Sequence, residues 1–320
     1  MKIGLDVMGG DFAPNATIAG AILAHKQLPA TDKIILIGDE KIIVEILHHE
    51  NYAPDNFIIA HAPDVISMGE HPTKALLKKP HSSIGVGFHL LKNKKIDSFA
   101  SAGSSGAMLV GSIFSVNTVQ GVIRPCTSAI LPQENGKTSI LLDIGTNPDV
   151  KPDILYQFAL LGSLFSQYVY KISQPRVALL NIGEEEEKGN ITCQSAFKLM
   201  YNSKDFNFIG NVEGRDLFKS KADVIVCDGF TGNIVLKSVE AMYRLMVKRG
   251  FSDDYFKRFN YENYGGTPLL GINAPIILGH GISNDIAIKN MILLSKEVYM
   301  AKLPQKIKNA IQNYNDTNEV

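Results

Sequence analysis

Two stretches of the chain have the layout strand, short turn, helix, with glycine and hydroxyl residues in the turn. In the first, Ser-Ala-Gly-Ser-Ser-Gly-Ala occupies positions 101–107 after a short apolar run. In the second, Asp-Gly-Phe-Thr-Gly-Asn occupies positions 228–233 after the apolar run 224–227. A helix that begins at such a turn directs unpaired backbone N–H groups and the positive end of its dipole at an anion. Two such helix starts indicate a ligand that carries phosphate.

The candidate anion-binding residues are those whose amides or side chains would face the ligand at these turns. They are Gly103, Ser104, Ser105 and Gly106 in the first turn, and Gly229, Thr231, Gly232 and Asn233 in the second. Glycine lets a ligand approach the backbone closely, and serine, threonine and asparagine add side-chain donors. A serine N-cap on an ordinary helix would give the first pattern equally well. The presence of the second turn favours anion binding.

A run of four glutamates followed by Lys188 comes after another strand-like run, at positions 184–188. Two functional interpretations compete. Lys188 could clamp a phosphate while a carboxylate holds it in place, or the carboxylates could bind a divalent metal. The third interpretation is a solvated acidic loop at a helix N-terminus, which the helix dipole stabilises. Spacing alone favours the solvated loop.

Other polar residues stand directly after strand-like runs, where ligands bind in open α/β sheets. They are Asp6, Asp143, Asn147 and His280. A glycine close to such an acid is often only a turn former, and a lone histidine there is more often structural than catalytic. The sequence contains no GxxxxGK[ST], no GxGxxG opening a helix after a strand and no GxSxG. It therefore lacks the usual signatures of nucleotide binding and of a serine nucleophile.

Composition narrows the class of protein. The 320 residues carry 32 basic and 32 acidic side chains, which argues against a general nucleic-acid binder. Three widely spaced cysteines and no Cys/His metal spacing predict free thiols in a reducing cytoplasm, with neither a metal nor a cofactor. The first residues enter a strand pattern at once, so we expect no signal peptide. The most apolar helical pattern, 154–169, is too short and too polar to span a bilayer.

Apolar runs and helical patterns alternate along the whole chain. Strands are predicted near 3–7, 33–37, 57–60, 98–100, 139–143, 176–181, 206–210, 224–227 and 275–278. Helices are predicted near 15–26, 41–49, 82–91, 106–115, 154–170, 192–201, 232–248 and 285–301. Such alternation is typical of a mostly parallel sheet with helices on both faces. We therefore predict a three-layer α/β sandwich as one domain over 1–313, followed by a frayed polar tail over 314–320.

One segment interrupts the alternation. Around 244–266 the pattern is a helix end, a turn and a second helix, which predicts a projecting helical hairpin. Phe251, Tyr255, Phe256 and Phe259 form an aromatic stripe in it. The stripe is more typical of packing against the body of the protein or a partner subunit. The alternative is contact with lipid or an acyl chain.

With these motifs in place, the chain resembles the PlsX family, the acyl-[acyl-carrier-protein]:phosphate acyltransferases of bacterial phospholipid synthesis. The resemblance runs over nearly the whole chain and is carried by seven motifs in the expected order. They lie at 5–11, 101–107, 142–147, 179–189, 212–216, 226–236 and 279–283. The chain has Ser104-Ser105 where the family usually has Asn-Thr, and Thr146 where it usually has Ala. In 75–83, Leu77 and Pro80 stand in a segment where the family usually has more basic residues.

The resemblance implies a phosphotransacetylase-like and isopropylmalate-dehydrogenase-like fold, and transfer of a long-chain acyl group from acyl carrier protein to inorganic phosphate. It also implies a homodimer, and for some members peripheral contact with the membrane. For this chemistry we expect Lys188 to clamp phosphate, Asn233 with Ser104 or Ser105 to donate hydrogen bonds, and His280 to handle a proton or an oxyanion. Alternatives are a short-chain phosphotransacetylase-like enzyme and a non-catalytic anion-binding or membrane scaffold. The aspartate cluster and adenine-binding loop of a decarboxylating dehydrogenase are absent from the sequence.

Overall fold

The computed structural model describes residues 1–251 and 253–318, with side chains described up to Asn313. The strands, in chain order, are β1 (Lys2–Asp6), β2 (Lys33–Gly38), β3 (Ile58–His61), β4 (Ser98–Ser101), β5 (Cys126–Pro132), β6 (Thr138–Leu142), β7 (Arg176–Leu180), β8 (Asn207–Val212), β9 (Val224–Val226), β10 (Thr267–Leu270) and β11 (Ile276–Leu278). The helices are α1 (Asn15–His25), α2 (Glu40–His49), α3 (Pro72–Lys78), α4 (Ser83–Lys92), α5 (Ser105–Val116), α6 (Pro152–Tyr168), α7 (Ile191–Tyr201), α8 (Gly229–Lys248), α9 (Asp254–Lys257), α10 (Asp285–Met300) and α11 (Leu303–Asn318).

The chain divides into two compact units. Unit 1 comprises Met1–Thr118 and Tyr261–Lys302, and unit 2 comprises Val119–Asn260 and Leu303–Val320. The expectation of one continuous domain over 1–313 stays a prediction.

Unit 1 is built on a sheet with the order β3-β2-β1-β4-β11-β10, parallel throughout except for β10. In its central strand β1 the four residues after Lys2 are all buried, and Ile3 and Leu5 are fully buried, as expected for a parallel strand covered on both faces. Helices α4 and α5 pack together as one layer, and α1 and α10 pack together as another. The core under α4 is closely packed, because a side chain at Gly87 would collide with the ring of Phe99.

Unit 2 contains a sheet with the order β5-β6-β9-β7-β8. Strands β6, β9, β7 and β8 run parallel, and β5 pairs antiparallel with β6. Helix α6 covers this sheet with an almost entirely buried sequence that includes Phe158 and Phe165, and it also packs against α7 and α11. The polar positions that excluded a bilayer span, such as Gln157, are used within the fold: its amide bonds to Gly121 and Ile123.

All nine predicted strands and all eight predicted helices are present, so the α/β class is confirmed. Strands β5 and β10 and helices α3 and α11 were not predicted, and α9 lies where the hairpin's second helix was expected. In β10 the sequence contains Pro268, which weakens a strand pattern because proline has no N–H to donate to a neighbouring strand. Helix α11 has low overall hydropathy, but Leu303, Ile307 and Ile311 recur every four residues and are buried.

The hairpin predicted around 244–266 begins with the long helix α8, and its second arm is the single-turn helix α9 followed by a 3-10 turn, Tyr261–Asn263. Three rings of the predicted stripe, Tyr255, Phe256 and Phe259, pack on one another. Phe259 also packs on Phe218, and the Tyr255 hydroxyl donates to the carbonyl of Pro132 at 3.3 Å. Packing within unit 2 therefore accounts for most of the stripe.

Phe251, the fourth residue of the stripe, is 59% exposed. Among the described residues no helix is long and apolar enough to cross a bilayer. Of the frayed tail expected over 314–320, positions 319 and 320 lie outside the described residues, and the backbone of the remainder continues α11 to Asn318.

Candidate functional site

In unit 1, three loops meet at one edge of the sheet. Strands β1, β4 and β11 are adjacent and parallel, so the loops that follow them lie side by side. The amide of Asp11 donates to the carbonyl of Gly281 at 2.7 Å, and the amide of Gly279 donates to the carbonyl of Ser101 at 2.8 Å. A side chain at Gly9 would lie 2.6 Å from the amide nitrogen of Gly103. The glycines permit this close approach of three backbones.

Asp6 holds these loops together from beneath. Its buried carboxylate accepts hydrogen bonds from the Ser101 hydroxyl at 2.6 Å and from the Met8 amide at 3.0 Å. The Ser101 oxygen in turn accepts from the amide of Gly103 at 2.9 Å. Burial raises the pKa of Asp6, against the opposing effect of these hydrogen bonds. The side chain is thus a scaffold for the turn, as the sequence suggested.

The start of α5 has amides available for an anion. Ser104 is the N-cap, and its hydroxyl accepts from the Ala107 amide at 3.3 Å. Within the described part of the chain, the amides of Ser105 and Gly106 have no hydrogen-bond partner, and the Ser105 side chain is exposed. Ser104 therefore caps the helix, as the N-cap interpretation predicts, and the next two amides are unpaired within the described residues; anion binding there stays a prediction.

His280 stands in the third loop of unit 1 and is held by its neighbours. Its ring lies 5.2 Å from the Tyr261 ring, centroid to centroid, and its Nδ1 accepts from the Ile282 amide at 3.4 Å. The Ser283 hydroxyl donates to the His280 carbonyl at 2.6 Å. The imidazole is thus fixed at the same sheet edge as the α5 start.

Unit 2 repeats this arrangement with β6, β9 and β7, which are adjacent and parallel. The loop after β6 contacts the start of α8, since the Gly229 amide donates to the Asn147 carbonyl at 2.8 Å. Asn233 lies beside Gly145, and a side chain at that glycine would come within 3.6 Å of the Asn233 side chain. Gly145 has a φ of +134°, which a side chain would strain. The predicted residues Asn147, Gly229 and Asn233 therefore lie together.

Asp143 organises this loop more extensively than the sequence suggested. Its fully buried carboxylate accepts from the amides of Thr127, Ile144, Thr146 and Asn147 and from the side chains of Thr127 and Asn147. The Asn147 side chain also donates to the carbonyl of Pro125 at 2.8 Å. Asn147 therefore shapes the loop through its side chain. Thr127 comes from β5, a strand that sequence reasoning missed.

The start of α8 is capped by its own carboxylate. Asp228 accepts from the amide and the hydroxyl of Thr231, both at 2.8 Å, and the Gly232 amide donates to the Asp228 carbonyl at 3.0 Å. Among the first amides of α8, that of Phe230 has no partner within the described residues. Gly232 is required for packing, because a side chain there would collide with the carbonyl oxygen of Asp143. Thr231 and Gly232 therefore donate hydrogen bonds to the cap residue Asp228. The backbone amide of Phe230 stays unpaired within the described residues, and the sequence did not identify it as a candidate.

Lys188 is exposed in the loop after β7. Its stem lies over Gly183, where an added Cβ would be 2.7 Å from Lys188 Cγ. Two asparagines brace the loop: Asn181 donates to the Lys188 carbonyl at 3.1 Å, and Asn211 donates to the Glu185 carbonyl at 2.9 Å. In the described portion of the chain, the Lys188 ammonium makes neither an ion pair nor a hydrogen bond. The loop therefore holds Lys188 in place, and no described residue neutralises its positive charge.

The acidic run before Lys188 is partly neutralised. The Lys221 ammonium contacts Glu184 at 2.7 Å and Asp216 at 3.0 Å. These contacts raise the pKa of Lys221. The described residues contain no cluster of three or more His, Cys, Asp or Glu side chains suited to a metal ion.

Comparison with known proteins assigns the family. Residues 1–249 match a family model described as "Fatty acid synthesis protein". A phosphate acyltransferase of Dictyoglomus turgidum is 39% identical over 99% of both chains, and one of Syntrophomonas wolfei subsp. wolfei is 41% identical over 93% of this chain and 95% of its own. The chain belongs to the phosphate acyltransferase family. The resemblance to the PlsX family is thereby confirmed, and the protein is an acyltransferase enzyme.

The fold is also found in a solved structure. A phosphotransacetylase from Streptococcus pyogenes superimposes with a TM-score of 0.66 at 18% identity, over 93% of this chain and 94% of that one. The expected phosphotransacetylase-like α/β fold is confirmed. The individual roles expected of Lys188, His280, Asn233 and the turn residues stay predictions.

Proposed function

We propose that the enzyme transfers a long-chain acyl group from the thioester of acyl carrier protein to inorganic phosphate, and that the acyl phosphate product serves phospholipid synthesis. The observation that carries this proposal is the open start of α5, where the amides of Ser105 and Gly106 are unpaired. Donors of this kind suit an anion or a developing oxyanion. The name of the relatives, phosphate acyltransferase, supports the same reaction class.

In this reaction a phosphate oxygen attacks the carbonyl carbon of the thioester. The carbonyl oxygen becomes an oxyanion, the C–S bond breaks as the C–O bond of the acyl phosphate forms, and the leaving thiolate takes a proton from solvent. Near neutral pH phosphate is already a nucleophile, so no activated side chain is required. The cysteines fit this direct route, since burial raises the pKa of Cys126, Cys193 and Cys227 and disfavours a nucleophilic thiolate.

We assign phosphate binding to Lys188, because its ammonium group is unpaired within the described residues and hydrogen bonds from Asn181 and Asn211 hold its loop in place. Asn233 adds a side-chain donor beside Gly145, and Asn147 acts through the loop that it closes on Asp143. In unit 1, Ser105 and Gly106 donate from the α5 start, and His280 is the candidate for a proton or an oxyanion. Holding reactants in place contributes about 7–11 kcal/mol to lowering a barrier, and one oxyanion donor contributes about 2.7–4 kcal/mol.

The decisive experiment mixes purified protein, palmitoyl-acyl-carrier protein and inorganic phosphate, and traps the product with hydroxylamine. We expect phosphate-dependent hydroxamate together with free carrier-protein thiol. Because hydroxylamine also cleaves thioesters directly, hydroxamate is counted above an enzyme-free background. Sulfate in place of phosphate is the matched control and should give none above that background. A folded protein that gives no phosphate-dependent excess of hydroxamate would contradict the proposal.

A short-chain activity is the second candidate, because the solved structure with the same fold is a phosphotransacetylase. The same assay with acetyl-coenzyme A separates the two. Turnover of acetyl-coenzyme A without turnover of the palmitoyl donor would favour the short-chain enzyme. The family assignment disfavours a non-catalytic scaffold, and phosphate-dependent turnover of either donor would exclude it.

We further propose a homodimer that contacts the membrane peripherally through the end of α8. Phe251 and three residues of α8, Met242, Leu245 and Val247, are about half exposed, which is unusual for large apolar side chains so close together. Vesicle flotation of Phe251→Ser tests the contact, with Ile123→Ser as the control, since Ile123 is an equally exposed apolar residue elsewhere in unit 2. Equal flotation of both variants and the wild type would contradict lipid contact by Phe251. Sedimentation gives the oligomeric state.

A further inference from the structure

A cavity of about 670 Å³ lies within unit 1, between α3, α4 and α5. Most of its lining is apolar, and the side chains that matter most are Leu76, Leu77, Val86, Phe88, Val110 and Phe114. Two of them stand out at the rim, since Leu77 is 79% exposed and Phe114 is 72% exposed. An apolar cleft of this volume is within the usual range of pockets for small molecules, roughly 300–1,000 Å³.

The cavity and the candidate anion-binding turn share α5. The helix begins at Ser105, and Val110, its first residue in the cavity wall, lies five residues further along, or about 8 Å at 1.5 Å per residue. Helices α3 and α5 are in contact beside the turn, because a side chain at Gly106 would be 2.6 Å from Pro72. A chain that starts at the α5 start would have to pass this contact to reach the cavity.

We propose that this cavity holds the acyl chain of the donor thioester. The inference rests on the proposed function, which requires an anionic or polarised group at the turn and a long apolar chain leading away from it. A flexible hydrocarbon chain fits a cleft lined by aliphatic and aromatic side chains and needs no hydrogen bonds from it. Each buried methylene would improve binding by about fourfold.

The charges around the cavity agree with a chain that is attached to an anionic carrier. Positions 71–96 contain six lysines and no acidic residue. Lys92 and two histidines, His81 and His89, lie at the cavity and are exposed. The apolar part of the donor would then lie inside, and the negatively charged part would stay at a basic rim in solvent.

Two variants that fill the cavity test the proposal. Val86→Phe and Val110→Phe each add a ring to its wall from a different helix. The control is Ile113→Phe, which places the same ring on α5 at a residue that does not line the cavity. Circular dichroism and thermal melting check that each variant is folded.

The readout is kcat/KM for a palmitoyl donor and for a butyryl donor, each with saturating phosphate. We expect each cavity variant to lose at least tenfold with the palmitoyl donor and less than twofold with the butyryl donor, while Ile113→Phe changes neither. An equal loss with both donors, or none with the palmitoyl donor, would overturn the proposal. The proposal would also be overturned if a cavity variant changed only its sedimentation coefficient or only its binding to vesicles. The cavity would then be a contact surface for a second copy of the chain or for lipid.

Direct binding separates this inference from the proposed function. A fluorescent sixteen-carbon fatty acid is titrated into the wild type, Val110→Phe and Ile113→Phe. Binding that Val110→Phe alone weakens tenfold or more supports the acyl groove even if the wild type makes no acyl phosphate from any donor. Binding that is equal in all three proteins overturns the groove even if the acyl transfer is observed.

Discussion

Replacing Asp143 by asparagine should make the loop after β6 open more often while leaving its average conformation nearly unchanged. The carboxylate accepts six hydrogen bonds, four at Oδ1 and two at Oδ2. An asparagine can keep its carbonyl oxygen at the Oδ1 position, which leaves its NH₂ group facing the amide and the side-chain NH₂ of Asn147. Those two donors are 2.6 and 3.0 Å from Oδ2, so donor would face donor.

The expected cost combines lost bonds to a charged acceptor, about 1.5–3 kcal/mol each, with buried donors left unpaired, about 1–3 kcal/mol each. Because the site relaxes in part, we expect about 3–5 kcal/mol for local opening of the loop. Hydrogen–deuterium exchange of the peptide covering 143–147 should then be at least a hundredfold faster, at 1.36 kcal/mol per tenfold.

Asp149→Asn is the control, because Asp149 is exposed in the same loop and its carboxylate makes no hydrogen bond within the described residues. We also expect Asp143→Asn to lower kcat/KM for acyl transfer, since the loop positions Gly145 against Asn233. Exchange that is accelerated less than threefold over 143–147, with unchanged activity, would refute the assignment of Asp143 as the organiser of this loop.

Three further predictions concern charge and packing. Lys188→Ala should raise KM for phosphate at least tenfold and leave the melting temperature unchanged, whereas Lys198→Ala, an exposed lysine on α7, should affect neither. Gly232→Ala should destabilise unit 2 by about 1–3 kcal/mol in urea unfolding, because its methyl group would meet the backbone of Asp143; an unchanged midpoint would contradict the close contact. Burial opposes ionisation of Asp32, but Lys296 and the N-terminal ammonium outweigh it and lower its pKa. Stability from this group is therefore present above the ordinary pKa of 3.8 and lost as pH falls through the lower folded value. Asp32→Asn should flatten the acid limb of the stability curve below pH 3.8, and an unaltered limb would contradict this.

The regular elements could be predicted where one physical signal dominated. Buried parallel strands such as β2 and β9 contain continuous apolar runs, and α4 and α10 show helical spacing with clear caps. Strand β5 was missed because it begins with Cys126-Thr-Ser and lacks alternation. A signal was present all the same, since Asn135-Gly136 separates β5 from β6, Gly136 has a φ of +83°, and Asn-Gly is typical of hairpin turns.

The candidate site was predicted less completely, because its organisation depends on contacts between distant segments. The sequence identified Asp143, Asn147 and Gly229 as strand-end residues, but the hub at Asp143 depends on Thr127 from the missed strand. The same limit applies to the aromatic stripe. Its spacing is the same whether rings face lipid or protein, and the structure shows protein contacts for Phe259 with Phe218 and for Tyr255 with Pro132.

The two helix starts looked equivalent in the sequence, and their caps make them different. At α5 the cap is the neutral Ser104 hydroxyl, so the cap itself adds no negative charge beside the open amides. At α8 the cap is the Asp228 carboxylate, which already occupies the positive end of the dipole and would repel phosphate. Unit 2 therefore needs the cation of Lys188 if it is to hold phosphate.

We therefore predict that removing the charge of Asp228 improves phosphate binding. Asp228→Asn keeps a good N-cap and eliminates the carboxylate, so KM for phosphate should fall by about two- to fivefold, as expected for loss of one repulsive charge near the protein surface. The gain should shrink at high salt, because screening weakens the repulsion that the substitution removes. In a Lys188→Ala background the same substitution should recover part of the lost phosphate affinity. An unchanged KM for phosphate in both backgrounds would show that phosphate does not bind near the start of α8. The start of α5, with its open amides, would then remain as the candidate phosphate site of the two.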